Sequence, residues 1–591
     1  MSTTNDWKSL AARHRARQAD SLISEWLLPE DKLSSLRSNP PVGRLIESAA
    51  VKKSGLLTAK ELKITEEFTA TQLISKLSRQ EFSSEEVVIA FIKRASLAHQ
   101  LTNCLTEIFF SKAIERAKKL DERLRTTGKV TGPLHGLPIS LKDPFNIKGE
   151  CATAGYVEFA KSPPSATNST IVDLLFDAGA VFYCKTNVPQ AQLSADSDNN
   201  IYGRTLNPHK TQLTAGGSTG GEGALIAFRG SILGVGTDIA GSVRIPALCN
   251  GTYSFKPTAN RVPFANQTYY PAPLGILPGI TPAAGPLANS VDDIAMFMKV
   301  VSDQGAWKYD ATSFDIPWRN VDSLGKKPLV IGILPEDPTY RLHPPVRRAL
   351  AAATLSLRQA GHTIVTLPSE DRISTLLGSR IAWNYLMVSG PNPQLIPERF
   401  GEPLVPSIAA GINPFAHGGI PVSTELSVPD QLCALNDLRD VYSRAWQETW
   451  HRQQLDVILG PGAVSTAAPH DTYGFPVYTI IWNLLDVSAF HVLYTIDMSL
   501  TGELYPAGII PFGFASREED PTPQKSTAEH APDCRCLVLP KIAEKKLMHP
   551  TDKPEDYDGA PCALQVITPR FRDEECIEAM RIIDRDIRRK D

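Results

Sequence analysis

No uninterrupted apolar run of about 20 residues, the length a membrane-spanning helix requires, occurs anywhere in the chain. No apolar leader core opens it, so a cytoplasmic chain without an integral membrane span is expected. Charge of one sign is missing too. The 61 Lys and Arg face 64 Asp and Glu, a net of −3, which offers nothing to a nucleic-acid backbone. Cysteine is sparse: the nine are Cys104, Cys151, Cys184, Cys249, Cys433, Cys534, Cys536, Cys562 and Cys576. Their odd number and scattered spacing exclude the framework of a disulfide-stapled secreted domain. Cys534-Arg-Cys536 lacks a second ligand pair at zinc spacing, so neither a metal nor a cofactor is expected. Internal repeats and low-complexity tracts are absent, which sets aside solenoids and disordered chains. What remains, 42% hydrophobic and 21% charged over 591 residues, suits a large globular enzyme or binding protein.

Residues 1–60 read as a helical arm and 61–591 as one large domain. Within the arm, Trp7, Leu10, Ala11, Leu22, Ile23, Trp26 and Leu27 predict an amphipathic helix over 6–28, stopped by Pro29. A helix lying on a membrane surface is its alternative reading. Its basic run, Arg13-His14-Arg15-Ala16-Arg17, reads as solvated helix face. Ser83 and Glu86 stand at capping-box spacing ahead of Val87, Val88, Phe91 and Ala95, and a second helix is predicted over 111–124. Short β-rich runs follow at Leu137–Leu141, Ala180–Cys184, Leu233–Thr237, Thr252–Lys256 and Leu329–Leu334. Helical stretches at Thr170–Gly179 and Val346–Ala360 alternate with them. The alternation predicts an α/β fold, a sheet with helices on both faces, whose ligands gather at strand ends and helix starts. Residues 388–421 read as surface loops and 515–534 as a mobile polar loop.

Three segments sit at such places: GPLHGLPISLKD (132–143), AGGSTGGEGALIA (215–227) and GVGTDIAGSVRIPA (234–247). The glycines let the backbone fold tightly around Ser218 and turn amides inward. Ser242 ends a turn after a strand, beside the first amides of a helix predicted from Val243 to Gly251, which suits an oxyanion. A serine needs a group to take its proton, and no histidine lies in the two serine segments. Lysine does this where burial keeps it neutral, and Lys142 follows an apolar strand. Alone, Lys142 reads equally as an ion-pair partner of Asp143. Gly216-Gly-Ser218-Thr-Gly220 also fits the Gly-x-Ser-x-Gly elbow of α/β-hydrolases, but polar, proline-bearing 207–214 supplies no strand before it. A phosphate loop would need Lys-Ser/Thr after the glycines.

Taken together, the segments resemble the amidase-signature family, from Gly216 through Gly220, Gly221, Gly223, Asp238, Gly241, Ser242, Arg244 and Pro246 to Ala247. Lys142 in its Gly-Leu-Pro-Ile-Ser-Leu-Lys-Asp setting, Lys185–Pro189, Lys256-Pro-Thr258 and Gly285–Asp293 fit as well. So do Gly559–Gln565 and Phe571–Glu574 near the end, and Ala98–Cys104 is most similar to the fungal acetamidase or general amidase branch. The resemblance implies a central mixed twisted sheet covered by helices on both faces. It implies an amidase with Ser242 as nucleophile, Ser218 as relay after a cis Gly217–Ser218 peptide, and Lys142 as base. Backbone amides of Ile239, Ala240, Gly241 and Ser242 would hold the oxyanion, with Gly217 and Thr219 beside the substrate. An acyltransferase using the same acyl-enzyme and a degenerate scaffold are the alternatives. The expected partners are a small-molecule amide and, for assembly, a homodimer. Three features depart from the family pattern. Thr219 replaces Ser or Gly, Ala240 replaces a Gly common in the oxyanion turn, and Val487–Leu504 intervenes before Tyr505-Pro-Ala507. That apolar, aromatic stretch implies a larger or aromatic acyl group than short aliphatic amides carry.

Overall fold

Hydrogen-bonding side chains set the early helix starts. Ser83 Oγ accepts from Glu86 N at 3.0 Å while Glu86 Oε2 accepts from Ser83 N at 3.1 Å, and the helix Ser84–Thr102 follows. Thr58 with Glu61 and Thr69 with Gln72 cap Ala59–Glu66 and Ala70–Ser78 in the same way. The helix expected at 111–124 runs Phe110–Thr127 and stops where Gly128 turns left-handed at φ +64°. The computed structural model describes residues 7–268, 279–389, 401–410, 422–423, 425–486, 505–520 and 553–589.

Between the helices run β1 (Leu105–Ile108), β2 (Pro138–Lys142), β3 (Val181–Thr186), β4 (Leu233–Asp238), β5 (Tyr253–Lys256) and β6 (Ala283–Ala288). They are followed by β7 (Val330–Ile333), β8 (Thr363–Thr366), β9 (Val457–Pro461), β10 (Ala507–Phe514) and β11 (Pro561–Ile567). All join one 11-stranded sheet, in the order β1-β3-β2-β4-β6-β5-β10-β11-β9-β7-β8. The trios β3-β2-β4 and β9-β7-β8 are parallel, and every pair between them is antiparallel. The α/β sheet expected from the alternating pattern is therefore present, and it is mixed, as the resemblance implies. Strands β2 and β4 are buried along their whole length, so their apolar runs are core, and their polar last residues Lys142 and Asp238 emerge at one end.

A wall of aromatic rings supports that end. The helices Val428–Gln453 and Val477–Leu484 meet where Trp446 packs edge-on against Trp482 at 5.2 Å. Tyr505 packs against Trp482 at 5.8 Å and against Trp450 at 6.0 Å. The indole nitrogens of Trp446, Trp450 and Trp482 make no hydrogen bond to a described residue, and the rings meet one another as apolar packing.

The arm departs from expectation in two ways. Its first helix is Trp7–Asp20, not 6–28, and a 3-10 turn, Ser24–Trp26, follows. Ser21 ends the helix by turning its hydroxyl back onto Arg17 O at 2.9 Å, and Leu22, Ile23 and Trp26 pack in irregular chain. The basic run is exposed at Arg13, Arg15, Ala16 and Arg17, as expected, but it also holds the arm to the body. His14 is buried and bonds Ala160 O at 2.9 Å, Arg15 donates to Ile201 O at 2.6 Å, and Arg17 reaches Glu107. The expected boundary after residue 60 falls inside Ala59–Glu66. Of the loops expected over 388–421, the described part holds a helix, Pro406–Ala410, and the buried Glu402 and Val405. Segment 487–504, Cys534-Arg-Cys536 and all of the 515–534 loop beyond residue 520 lie outside the described residues. No helix among the described residues is long and apolar enough to cross a membrane.

Trp446→Ala removes the centre of the aromatic wall, and a destabilisation of about 3–5 kcal/mol is expected. Denaturant titration followed by circular dichroism measures it, and Trp446→Phe should recover much of the loss.

Candidate active site

Lys142 is the last residue of β2 and is fully buried. Its Nζ lies 2.8 Å from Ser218 Oγ and 2.6 Å from Thr237 Oγ1, the latter on neighbouring β4. Burial brings its pKa down to about 7, against Asp238 and then Asp143, which pull the other way. An amine in that range is uncharged in a large share of molecules near neutrality, and the next hydroxyl is already in reach.

The glycine loop delivers that hydroxyl. The Gly217–Ser218 peptide is cis, as the resemblance implies. A side chain at Gly217 would place its Cβ 2.2 Å from Ser194 O, so the loop packs backbone to backbone. Thr219 directs its hydroxyl at Thr237 O, 3.4 Å away, so its side chain faces β4.

Beneath the loop, Ser140 shares the Lys142 face of β2 and meets the buried carboxyl of Glu222. Ser140 Oγ is also 2.8 Å from Ser231 Oγ, and Ser231 Oγ lies 3.0 Å from Leu233 O. Thr186 supplies its own hydrogen to Glu222 at 2.8 Å. Three oxygen–oxygen contacts then share two serine hydrogens, which leaves a place for a proton on Glu222. Burial acts the same way, raising that carboxyl to about 7, while the Ser140 and Thr186 hydroxyls oppose it.

Ser242 follows the turn that leaves β4, and Asp238 holds that turn. Its carboxylate accepts from Gly241 N at 2.8 Å, Val243 N at 3.1 Å and Asn483 Nδ2 at 3.0 Å. Arg244 Nε and Nη2 reach the same carboxylate at 3.0 and 2.9 Å. Arg244 is fully buried, and its remaining hydrogens go to Thr479 O at 3.0 Å, Gln565 Oε1 at 2.9 Å and Asn483 Oδ1 at 2.5 Å. Burial opposes the charge on Asp238, but the adjoining guanidinium outweighs it and holds the carboxyl far below its usual range. Thr479 Oγ1 donates to Ala240 O at 2.7 Å, which fixes the turn from above.

The left-handed residue of this turn is Gly241, at φ +128°, and not Ala240, so alanine is accommodated where a glycine is common. Of the four amides expected to face an oxyanion, Gly241 N is already engaged by Asp238. The amides of Ile239, Ala240 and Ser242 make no hydrogen bond to a described residue. Ser242 is 9% exposed, and its hydroxyl bonds neither Ser218 nor any other described residue. The structure therefore joins Lys142 to Ser218 and leaves Ser242 next along the sequence of groups, unlinked. Thr237, Thr479 and Asn483 escaped the sequence reading, because nothing local marks a threonine or asparagine as a partner across the fold.

Known proteins carry the same pattern. The model of the family described as Amidase matches residues 86–577. The chain belongs to the amidase-signature family. An amidase of Gibberella moniliformis is 37% identical over 581 residues, 98% of each chain. An acetamidase of Emericella nidulans is 33% identical, covering 97% of this chain and 96% of that one. The solved structure of a fatty acid amide hydrolase superposes with a TM-score of 0.83 at 28% identity, over 99% of this chain and 96% of that one. This amidase is an amide hydrolase of the fungal acetamidase and general amidase branch, and its mixed α/β sheet is the amidase-signature fold.

In this amidase Arg244→Lys keeps the charge but loses the planar fork that serves Asp238, Thr479, Gln565 and Asn483 together. A destabilisation of about 1–3 kcal/mol is expected from the buried acceptors left without a donor. kcat/KM should fall roughly 100-fold as the turn that carries Ser242 loosens. Thermal unfolding and steady-state kinetics on the same preparation measure both.

Proposed function

We propose that this amidase cleaves a carboxylic amide through a Ser242–Ser218–Lys142 relay. The observation that carries the reading is the contact between the wholly buried amine of Lys142 and the hydroxyl of Ser218, one step from a serine at a helix start. Neutral Lys142 takes the proton of Ser218 as Ser218 takes that of Ser242, and Ser242 Oγ bonds the amide carbon. The carbonyl oxygen gains the charge and is met by the amides of Ile239, Ala240 and Ser242. As the C–N bond breaks, the ammonium of Lys142 returns its proton through Ser218 to the leaving nitrogen. Water then attacks the acyl-enzyme by the same route, releasing the acid. The link between Ser218 and Ser242 closes with substrate in place, as catalytic hydrogen bonds commonly tighten in the Michaelis complex.

Ser242→Ala should fold normally and lose roughly 10³-fold or more of amide turnover, since it removes the covalent acceptor. A fluorophosphonate should label Ser242, and hydroxylamine added to turnover should divert the acyl group to a hydroxamate. Acetamide, hexanamide and benzamide serve as the substrate series; turnover surviving in Ser242→Ala sinks the assignment.

The active form needs Lys142 unprotonated, so kcat/KM should rise with pH through a midpoint near the pKa of about 7. Lys142→Met should abolish that limb. A limb that persists unchanged belongs to another group.

A further inference from the structure

Beside Lys142 lies a layer of buried charge that the reaction does not use. Strands β1, β3 and β2 are neighbours, and each contributes one member: Glu107, Lys185 and Asp143, the residue after Lys142. Glu107 is 5% exposed, Lys185 and Asp143 not at all. Asp143 accepts from Thr106 Oγ1 at 2.7 Å and from the amides of Thr153 and Ala154 at 2.9 and 2.6 Å. Lys185 Nζ lies 3.9 Å from Asp143 Oδ1 and donates to Cys151 O at 2.6 Å. Two carboxylates therefore face one lysine. The second cation comes from outside the sheet and is not itself buried: Arg17 of the arm helix, its side chain 43% exposed, reaches Glu107 Oε1 at 2.5 Å and Cys151 Sγ at 2.8 Å. Tyr202 OH also donates to Glu107, at 2.9 Å.

We infer that Arg17 is a positioning residue for the proposed relay, completing from the arm a charge-balanced layer against the strand that carries the base. The other groups facing the layer do not supply a substitute charge. Burial keeps the thiol of Cys151 and the phenol of Tyr202 protonated, and it disfavours the charged form of His14, whose Nδ1 lies 3.2 Å from Arg17 Nη2. Glu150, nearby, is paired with Lys112. The arm is held in register to do this: Gln18 Nε2 donates to Leu105 O and Thr106 O at 2.8 and 3.0 Å, sealing the open edge of β1. Burial pushes the Glu107 carboxyl up and the Lys185 ammonium down, so Arg17 is what favours the charged form of Glu107, and its loss leaves one negative charge in excess until Glu107 takes up a proton. That charge adds to the pull of Asp143 and Asp238, which already favour the protonated form of Lys142. With Glu107 neutralised instead, the excess is positive and the bias reverses.

The inference rests on Lys142 as base, so the pH dependence of that base is the readout, on the full-length protein. The rate at which a fluorophosphonate labels Ser242 is measured against pH. Lys142→Met comes first: a limb that survives it refutes the base assignment and leaves the arm's role to be measured on the true base. With the limb assigned, Arg17→Met should move its midpoint up, by at most roughly one unit for an uncompensated charge two strands away, about 10 Å at the usual strand spacing, with an effective dielectric constant near 20. Glu107→Gln should move it down, and the double variant Arg17→Met/Glu107→Gln should return it close to wild type. Opposite shifts that cancel cannot come from loosened packing, and Glu107→Gln keeps the test available if Arg17→Met folds poorly. Midpoints that coincide with wild type in both variants, or that move in the same direction, overturn the inference.

Discussion

The pairing of Asp238 with Arg244 is the constraint on which the rest of the site depends. One carboxylate receives two backbone amides of the turn that carries Ser242, one asparagine and two arms of a guanidinium. The same guanidinium spans to the helix Val477–Leu484 and to β11. Neither ion could be buried alone, since each would face the full desolvation penalty, and here every donor and oxygen is used. The pair also sets the field around Lys142. A bare carboxylate at Asp238 would hold the lysine protonated; with Arg244 bound to it, burial wins.

Much of the first half of the molecule was legible in the sequence. Glycines around Ser218, a serine between a strand and a helix, and an apolar strand ending in lysine each have a local cause. Each therefore leaves a local trace. The capping box at Ser83 and the glycine stop at Gly251 are of the same kind. What the pattern did not carry are contacts between residues far apart in the chain. Thr479 and Asn483 meet the turn after Asp238 from more than two hundred residues away. The arm is the plainest case. A run of Arg and His on an amphipathic helix reads as solvated from composition, yet His14, Arg15 and Arg17 point at backbone carbonyls and a carboxylate on the body. Helical spacing alone could not separate Trp26 in a helix from Trp26 packed in a turn.

Buried charges recur where distant parts of the chain meet. Lys256 pairs with Asp486, and Arg261 with Asp573 and Glu574 on the last helix. Arg319 joins Glu574 and Glu575 beside them. Such pairs add little net stability compared with apolar packing, but a wrong partner leaves a charge stranded. They favour one docking of the last helix, Asp573–Ile587, against β5 and the loop after it over near misses of similar apolar area.

The strand order has a consequence for how the enzyme is made. Strands β10 and β11 lie in the middle of the sheet, between β5 and β9, although they leave the ribosome last. Lys142, Ser218 and Ser242 are all synthesised long before Gln565, the residue on β11 that accepts from Arg244. Until then β5 and β9 present open edges, and Arg244 lacks one of its acceptors. A nascent or prematurely terminated chain therefore holds Lys142, Ser218 and Ser242 without the finished frame around them. Hydrolytic competence arrives with the closing strands, and a product truncated before residue 565 is a target for chaperones or proteases, not a partial enzyme.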